Sequence, residues 1–352
     1  MYKRYAIIAG VFVAWILMFY FLSGLAGLDL TGSVSKANLV TIALGFFFYF
    51  LAISTGVFVL YRCLKAVGLR PPVRGIYKAW LFGSFVDNIV PTVTPMGEAS
   101  MAYFLEKFYR VSYTKSLAAI GMYVSAWGLS ISLFSTLSLI LIQVFVGLQN
   151  LIPPAAIFLL VIAVLIFIGI TAGWFLLITN KGFVERMVCR IVPIYNKVYN
   201  AVKGKKLTFE YCVFKIEFEK AYTSLELFMK NKREMLTGML LFGIPQMTHV
   251  FCLYFLLLGF GVDISFFAVL LIHIVSSVAG LISFIPSGMG IYEVVSSGTL
   301  GMSVPSDIAV AAIFIYRLIF VWTTNLLGGA IGILQGIEQP GKMDKALASG
   351  HK

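Results

Sequence analysis

The sequence predicts an all-α fold: a polytopic integral membrane helical bundle with two inverted repeats and two re-entrant broken-helix hairpins. Three observations lead there. Of 352 residues, 60% are hydrophobic and only 12% charged, with a mean hydropathy of +0.95, whereas soluble globular domains carry about 25% charge. Apolar runs long enough to cross a bilayer, about 20 residues each, recur along the chain. The basic residues cluster between those runs in a pattern that assigns sides of the membrane.

The first run, residues 5–28, follows Lys3 and Arg4. It exceeds the roughly 7 to 15 apolar residues of a signal-peptide core and reads as a retained helix, with Gly24-Leu25-Ala26 leaving cleavage as the alternative. Full-length runs follow at 39–61, 116–145, 153–178, 235–259 and 309–334, making six spans in all. Two further apolar segments break early: 76–90 stops at Pro91 and 264–285 stops at Pro286. Glycine, proline and a glutamate follow each stop, where a charged loop would be usual. Broken backbone at membrane depth survives only where protein or water receives its freed polar groups, so both segments are expected to be re-entrant.

Charge supports this arrangement. With the N-terminus cytoplasmic and both broken segments returning to the side they entered from, all basic residues but Lys36 and Arg317 fall inside. The net charge of +12 is thereby explained as positive-inside bias, with no nucleic-acid partner required. The stretch 181–234 holds twelve basic residues and an amphipathic pattern, Phe214, Phe218, Ala221, Tyr222, Leu225 and Met229 opposite Lys215, Glu217, Glu219, Lys220 and Glu226. It reads as a helix on the inner membrane surface or against the cytoplasmic ends of the bundle. The four cysteines, Cys63, Cys189, Cys212 and Cys252, are too dispersed for a disulfide framework.

The two broken segments resemble each other. Asn88-Ile-Val-Pro91-Thr-Val-Thr-Pro95-Met-Gly97-Glu98 corresponds to Ser283-Phe-Ile-Pro286-Ser-Gly288-Met-Gly290-Ile-Tyr-Glu293, and each glutamate stands seven residues after the first proline. Val111-Ser112 and Met302-Ser303 then precede Ala118 and Ala309, six residues past each serine. The chain 1–352 is therefore one membrane domain, with repeat 1 at about 39–146, the amphipathic stretch at 181–234 and repeat 2 at about 235–335. Inverted repeats with discontinuous helices build the binding sites of many secondary transporters. At each break the outgoing half-helix presents unpaired N–H groups and a positive dipole end, suited to an anionic group.

The candidate lipid- or substrate-binding residues are accordingly Asn88, Pro91, Gly97, Glu98, Pro286, Gly288, Gly290, Glu293 and Arg317. Glu98 and Glu293 read equally as functional carboxylates or as caps of their helices. Arg317, deep in the last run, reads as an ion pair with Glu293 or Glu98, or as a phosphate anchor, and the two roles are compatible. His249, Cys252 and His273 offer soft ligands without a fourth and are not assigned a metal; His273 reads as a bonded bundle residue or a proton relay. Gly328 and Gly332 form a small-residue stripe for helix packing or dimerisation. No cofactor is expected, and no Walker loop appears in the sequence.

The Pro-to-Gly-Glu segment with its Val-Ser turn, the later Pro-Ser-Gly-x-Gly-x-x-Glu and Arg317 resemble the lysylphosphatidylglycerol synthase transmembrane-region family, whose members include stand-alone flippase-like proteins. The resemblance covers essentially the whole chain and carries over to Pro91, Gly97, Glu98, Pro286, Gly290, Glu293 and Arg317. Two departures stand out: the arginine common just after the first Gly-Glu is here Met101, and an acidic-basic pair in the next span is replaced by Gly121-Met122-Tyr123-Val124. The resemblance implies a polytopic lipid flippase-like protein; together with the charge pattern and the polar breaks, the expectation is a cell-membrane protein with both termini cytoplasmic, membrane lipids as partners and a phospholipid or polyprenyl-phosphate-linked lipid as cargo. The 352 residues leave no room for the soluble transferase domain of the synthases. The alternatives are an integral membrane lipid-modifying transferase and a small-solute or ion carrier. Self-association, or association with enzymes of cell-envelope synthesis, is the other partner expectation.

Overall fold

The computed structural model describes residues 30–89, 96–145, 232–282 and 285–335, with single positions at 13, 16, 17, 20, 24, 165, 169 and 182. Every regular element among them is helical. The apolar runs at 5–28 and 153–178, the amphipathic stretch 181–234 and Pro91 lie outside the described residues or are touched only at those single positions.

A short helix α1 (Leu30–Ser35) precedes α2 (Leu39–Ala66). Asn38 caps α2 by accepting the Val40 N–H at 2.8 Å, satisfying one of the orphan donors of a helix start. Gly68, at φ 81°, turns the chain out of α2. Helix α3 (Val73–Ile89) begins just after Pro71 and Pro72 and stops short of Pro91, because the residue before a proline is pushed out of helical geometry. It is followed by α4 (Met96–Tyr109), which ends at Arg110 in the left-handed region (φ 53°), and by α5 (Tyr113–Phe145).

The second half opens with α6 (Lys232–Gly259), which carries Pro245 in its interior, and ends near Gly261 at φ 76°. Then come α7 (Phe266–Ile282), a 3-10 turn (Pro286–Gly288) and α8 (Ile291–Leu300). Helix α9 (Ser306–Arg317), a π-helical turn (Leu318–Trp322) and α10 (Thr323–Leu334) make one continuous rod.

Length separates these elements into two kinds. Among the described residues, four helices are long and apolar enough to cross a membrane: Leu39–Ala66, Tyr113–Val144, Leu240–Gly259 and Ser306–Leu334. Helices α3 and α7 have 17 residues each, about 25 Å at 1.5 Å per residue, short of the roughly 30 Å hydrocarbon core. The order long helix, 17-residue helix, shorter helix, long helix therefore occurs twice, as α2 to α5 and as α6 to α10.

Small residues set the packing. Helix α6 lies along α2, with Phe48 stacked on Phe251 and Phe255 at 5.7 and 5.8 Å between ring centres. Gly259 gives way to Thr41, and Gly45 to Cys252 and Ile319, the close approach that small residues allow between membrane helices. Gly328 and Gly332 turn towards α3, against the Leu81 carbonyl, Phe85 and Phe82. That stripe packs within the chain, against α3. Ser33 ties α1 to α9 by donating to Asp307 at 2.9 Å. Large apolar side chains such as Phe47, Leu133, Leu137 and Leu240 point outwards, as expected where the surrounding solvent is lipid.

Candidate functional site

The chain reverses after α7 through three residues in the left-handed region, Ser287 (φ 54°), Gly288 (φ 60°) and Gly290 (φ 86°). Gly288 is required on two counts, since a Cβ there would also come within 2.8 Å of the Gly280 Cα. Ser287 has a side chain and pays roughly 1–2 kcal/mol for this conformation. Its neighbours hold it there: its hydroxyl donates to Asn88 Oδ1, and its carbonyl accepts from the Arg317 guanidinium at 2.9 Å.

Arg317 and Glu293 form a buried pair, 5% and 2% exposed, with Arg317 Nε donating to Glu293 Oε1 at 2.7 Å. The other carboxylate oxygen accepts the Gly290 N–H at 2.7 Å, so Glu293 caps α8 and neutralises Arg317 together. The guanidinium also lies 5.1 Å from the centre of the Tyr292 ring, within the range of cation–π attraction. Of the two glutamates weighed as its partner, Arg317 uses Glu293.

The first break meets the second. Asn88, near the end of α3, accepts from Ser287 and donates through Nδ2 to Asn325 Oδ1 at 2.9 Å. One side chain thus joins α3, the reversal after α7 and α10. The adjacent Asp87 accepts the Gly97 N–H at 2.6 Å and so caps the start of α4. Gly97 is close against that carboxylate, with no space for a Cβ. Glu98, in the first turn of α4, is partly buried and close enough to Asp87 for their charges to interact.

These elements enclose a cavity of about 560 Å³, within the range of small-molecule sites. The polar wall comes from Ser84, Asp87 and Asn88 of α3, Gln246 and His249 of α6, and His273 and Ser277 of α7. Trp127, Ile131 and Phe134 of α5 supply apolar lining, and Ser287, Gly288, Tyr292 and Tyr316 also line the cavity. His249 Nδ1 bonds to the Tyr316 hydroxyl at 2.8 Å and His273 Nδ1 to the Tyr292 hydroxyl at 3.3 Å. The two imidazoles stack with centres 5.5 Å apart. Cys252 faces Gly45 instead, and among the described residues no three His, Cys, Asp or Glu side chains gather as metal ligands.

The nine sequence-derived candidates therefore divide. Asn88 and Gly288 line the cavity. Glu293, Gly290 and Arg317 form a latch that touches two of its lining residues, Ser287 and Tyr292. Gly97 and Glu98 start α4 beside Asp87. Pro286 opens the 3-10 turn, and Pro91 falls outside the described residues.

The model of the family described as lysylphosphatidylglycerol synthase TM region matches residues 7–328. The chain belongs to that family. Similar proteins include UPF0104 membrane proteins of three organisms. The one from Methanocaldococcus jannaschii is 27% identical over 271 residues, covering 75% of this chain and 76% of the relative. That from Pyrococcus horikoshii is 24% identical over 341 residues, covering 94% and 96%. One from Methanothermobacter thermautotrophicus is 23% identical over 273 residues, covering 76% and 77%. Membership in the lysylphosphatidylglycerol synthase TM region family, with the apolar helices described above, makes this an integral membrane protein.

One departure from the family pattern has a structural counterpart. Met101, where the family commonly has arginine, is 4% exposed and packs against Gly83, so an apolar contact between α3 and α4 stands in that place. The sequence reading missed Asp87, Gln246, Tyr292, Tyr316 and Asn325. Asp87 did carry a signal, since an ionisable residue in an apolar segment is by default a functional candidate. The tyrosines and Asn325 carried none.

Proposed function

We propose that this chain is a lipid transporter of the cell membrane that moves the head group of a phospholipid or polyprenyl-phosphate-linked lipid between leaflets while its tails stay in the bilayer. The observation that carries this reading is the junction of Asn88 with Ser287 beside a polar cavity, where two 17-residue helices end. In this reading α3–α4 and α7–α8 re-enter from opposite faces, the halves are inverted copies, and both termini are cytoplasmic. Rocking of one half against the other alternates access to the cavity. Glu293 has both oxygens engaged, so it serves the joint, and Glu98 beside Asp87 is the carboxylate that exchanges a proton to drive the cycle. The partners are membrane lipids, and the protein acts without altering them chemically.

The test is reconstitution of the purified chain into liposomes with tail-labelled phospholipids, following the label that becomes accessible in the outer leaflet. Transport above protein-free liposomes, abolished by Glu98→Gln, supports the reading. Transport unchanged by Glu98→Gln removes the coupling role. An altered lipid in the extracted membranes makes the protein a lipid-modifying transferase.

A further inference from the structure

The chemistry of the cavity wall narrows the cargo, an inference that rests on the transport reading above. Among the described residues the wall holds one carboxylate, Asp87, and neither lysine nor arginine. A phosphate seated here would lose its hydration with no cation among the described lining residues to replace it. Arg317 does not supply one, because its guanidinium is committed to Glu293 and to the Ser287 carbonyl. An ammonium group would find a single carboxylate, with one oxygen already accepting from Gly97.

What the wall offers in quantity is groups that both donate and accept. Amides, hydroxyls and imidazoles have this dual capacity, and so do the hydroxyls of a sugar. The side chains of Ser84, Gln246 and Ser277 line the cavity without a side-chain hydrogen bond to another described residue. Asp87 adds a charged acceptor, which strengthens a bond from a neutral hydroxyl. The same cavity is lined by Trp127, 39% exposed, and by Phe134, and an aromatic ring is the kind of flat apolar surface that covers the carbon face of a pyranose. We propose that the cavity seats an uncharged, hydroxyl-rich head group, a saccharide carried on a lipid, while any phosphate of the carrier stays outside it.

The experiment compares three lipids with identical labelled tails in liposomes containing the full-length chain: a dihexosyl diacylglycerol, phosphatidic acid and a cationic trimethylammonium diacyl lipid. Retention of each lipid by the purified protein is measured in parallel by native mass spectrometry. The expected result is preferential retention and translocation of the dihexosyl lipid, both reduced about tenfold by Gln246→Ala and by Asp87→Asn, the loss of one hydrogen bond to a neutral or charged partner. Gln246→Ala bears the weight if Asp87→Asn weakens the start of α4. Preference for phosphatidic acid or the cationic lipid overturns the inference and leaves the transport reading intact. Retention of the dihexosyl lipid without translocation of any lipid overturns transport and leaves the site. Indifference to Gln246→Ala, or no retention of the dihexosyl lipid, overturns the site.

Discussion

Arg317 uses its charge inside the protein, on Glu293, the Ser287 carbonyl and the Tyr292 ring. Removing one member of a buried pair leaves the other uncompensated, at a cost of about 3–5 kcal/mol, whereas replacing both by apolar residues of similar volume is often neutral. Glu293→Gln and Arg317→Met should each lower the melting temperature in detergent micelles, and the double variant Glu293→Leu/Arg317→Met should recover much of the loss. An additive loss in the double variant would show that the two side chains do not act as a pair. This residue scale is also where the sequence was least complete. Arg317 and Glu293 announce themselves as charges in apolar surroundings, but the choice of Glu293 over Glu98 as partner, 24 residues away, needed the turn at 301–305 that brings α8 and α9 together. The Asn88–Asn325 bond spans 237 residues and leaves no local trace. Tyr292 and Tyr316 resemble any aromatic residue in a membrane helix until their histidine partners are known.

At the scale of elements, the glycines divide into those that a neighbour requires and those that none does. Gly328 stands against the Leu81 backbone carbonyl of α3, which has no room to yield, whereas Gly298 in α8 has open space beside it. Gly328→Ala should therefore separate α10 from α3 and lower stability by about 1–3 kcal/mol. Gly298→Ala should raise it by roughly 0.5–1 kcal/mol through helix propensity alone. Thermal melts of the two variants give opposite signs if the packing is as described. The long helices and both interruptions were legible in advance because hydropathy and proline are local signals. The π-helical turn at Leu318–Trp322 was not, since no residue type marks it. It follows Arg317 directly, and such turns often accompany functional sites.

For the whole molecule, the recurring element order makes two tests natural. The rocking model requires the two interruptions to part during the cycle. Asn88→Cys with Ser287→Cys, oxidised in a background lacking the native cysteines, should arrest translocation, and a reductant should restore it. Unimpeded transport by the cross-linked protein would mean that the halves do not separate there. Inversion is checked by single cysteines at Ser112 and Ser303, in the turns after α4 and α8. In intact cells a membrane-impermeant maleimide should label Ser303→Cys only, and Ser112→Cys should react only after the membrane is opened. Labelling of both from outside would make the halves parallel and remove the inverted design. The recurring element order has a counterpart in the sequence, the equal spacing from proline to glutamate. How the two interruptions meet, through Asn88 and Ser287, was not legible, because hydropathy orders helices along the chain and says nothing of which faces touch.

The Glu293–Arg317 latch also bears on how the protein is made. The ribosome delivers the acid first and its counter-charge 24 residues later, so for that interval an unmatched carboxylate waits at the translocon. Left alone, the arginine would oppose insertion of its own helix by about 2.5–3.5 kcal/mol. Biogenesis is therefore simplest if both segments are held at the aqueous channel and released into lipid as a neutral unit, which makes α8 and α9 a single event of membrane integration.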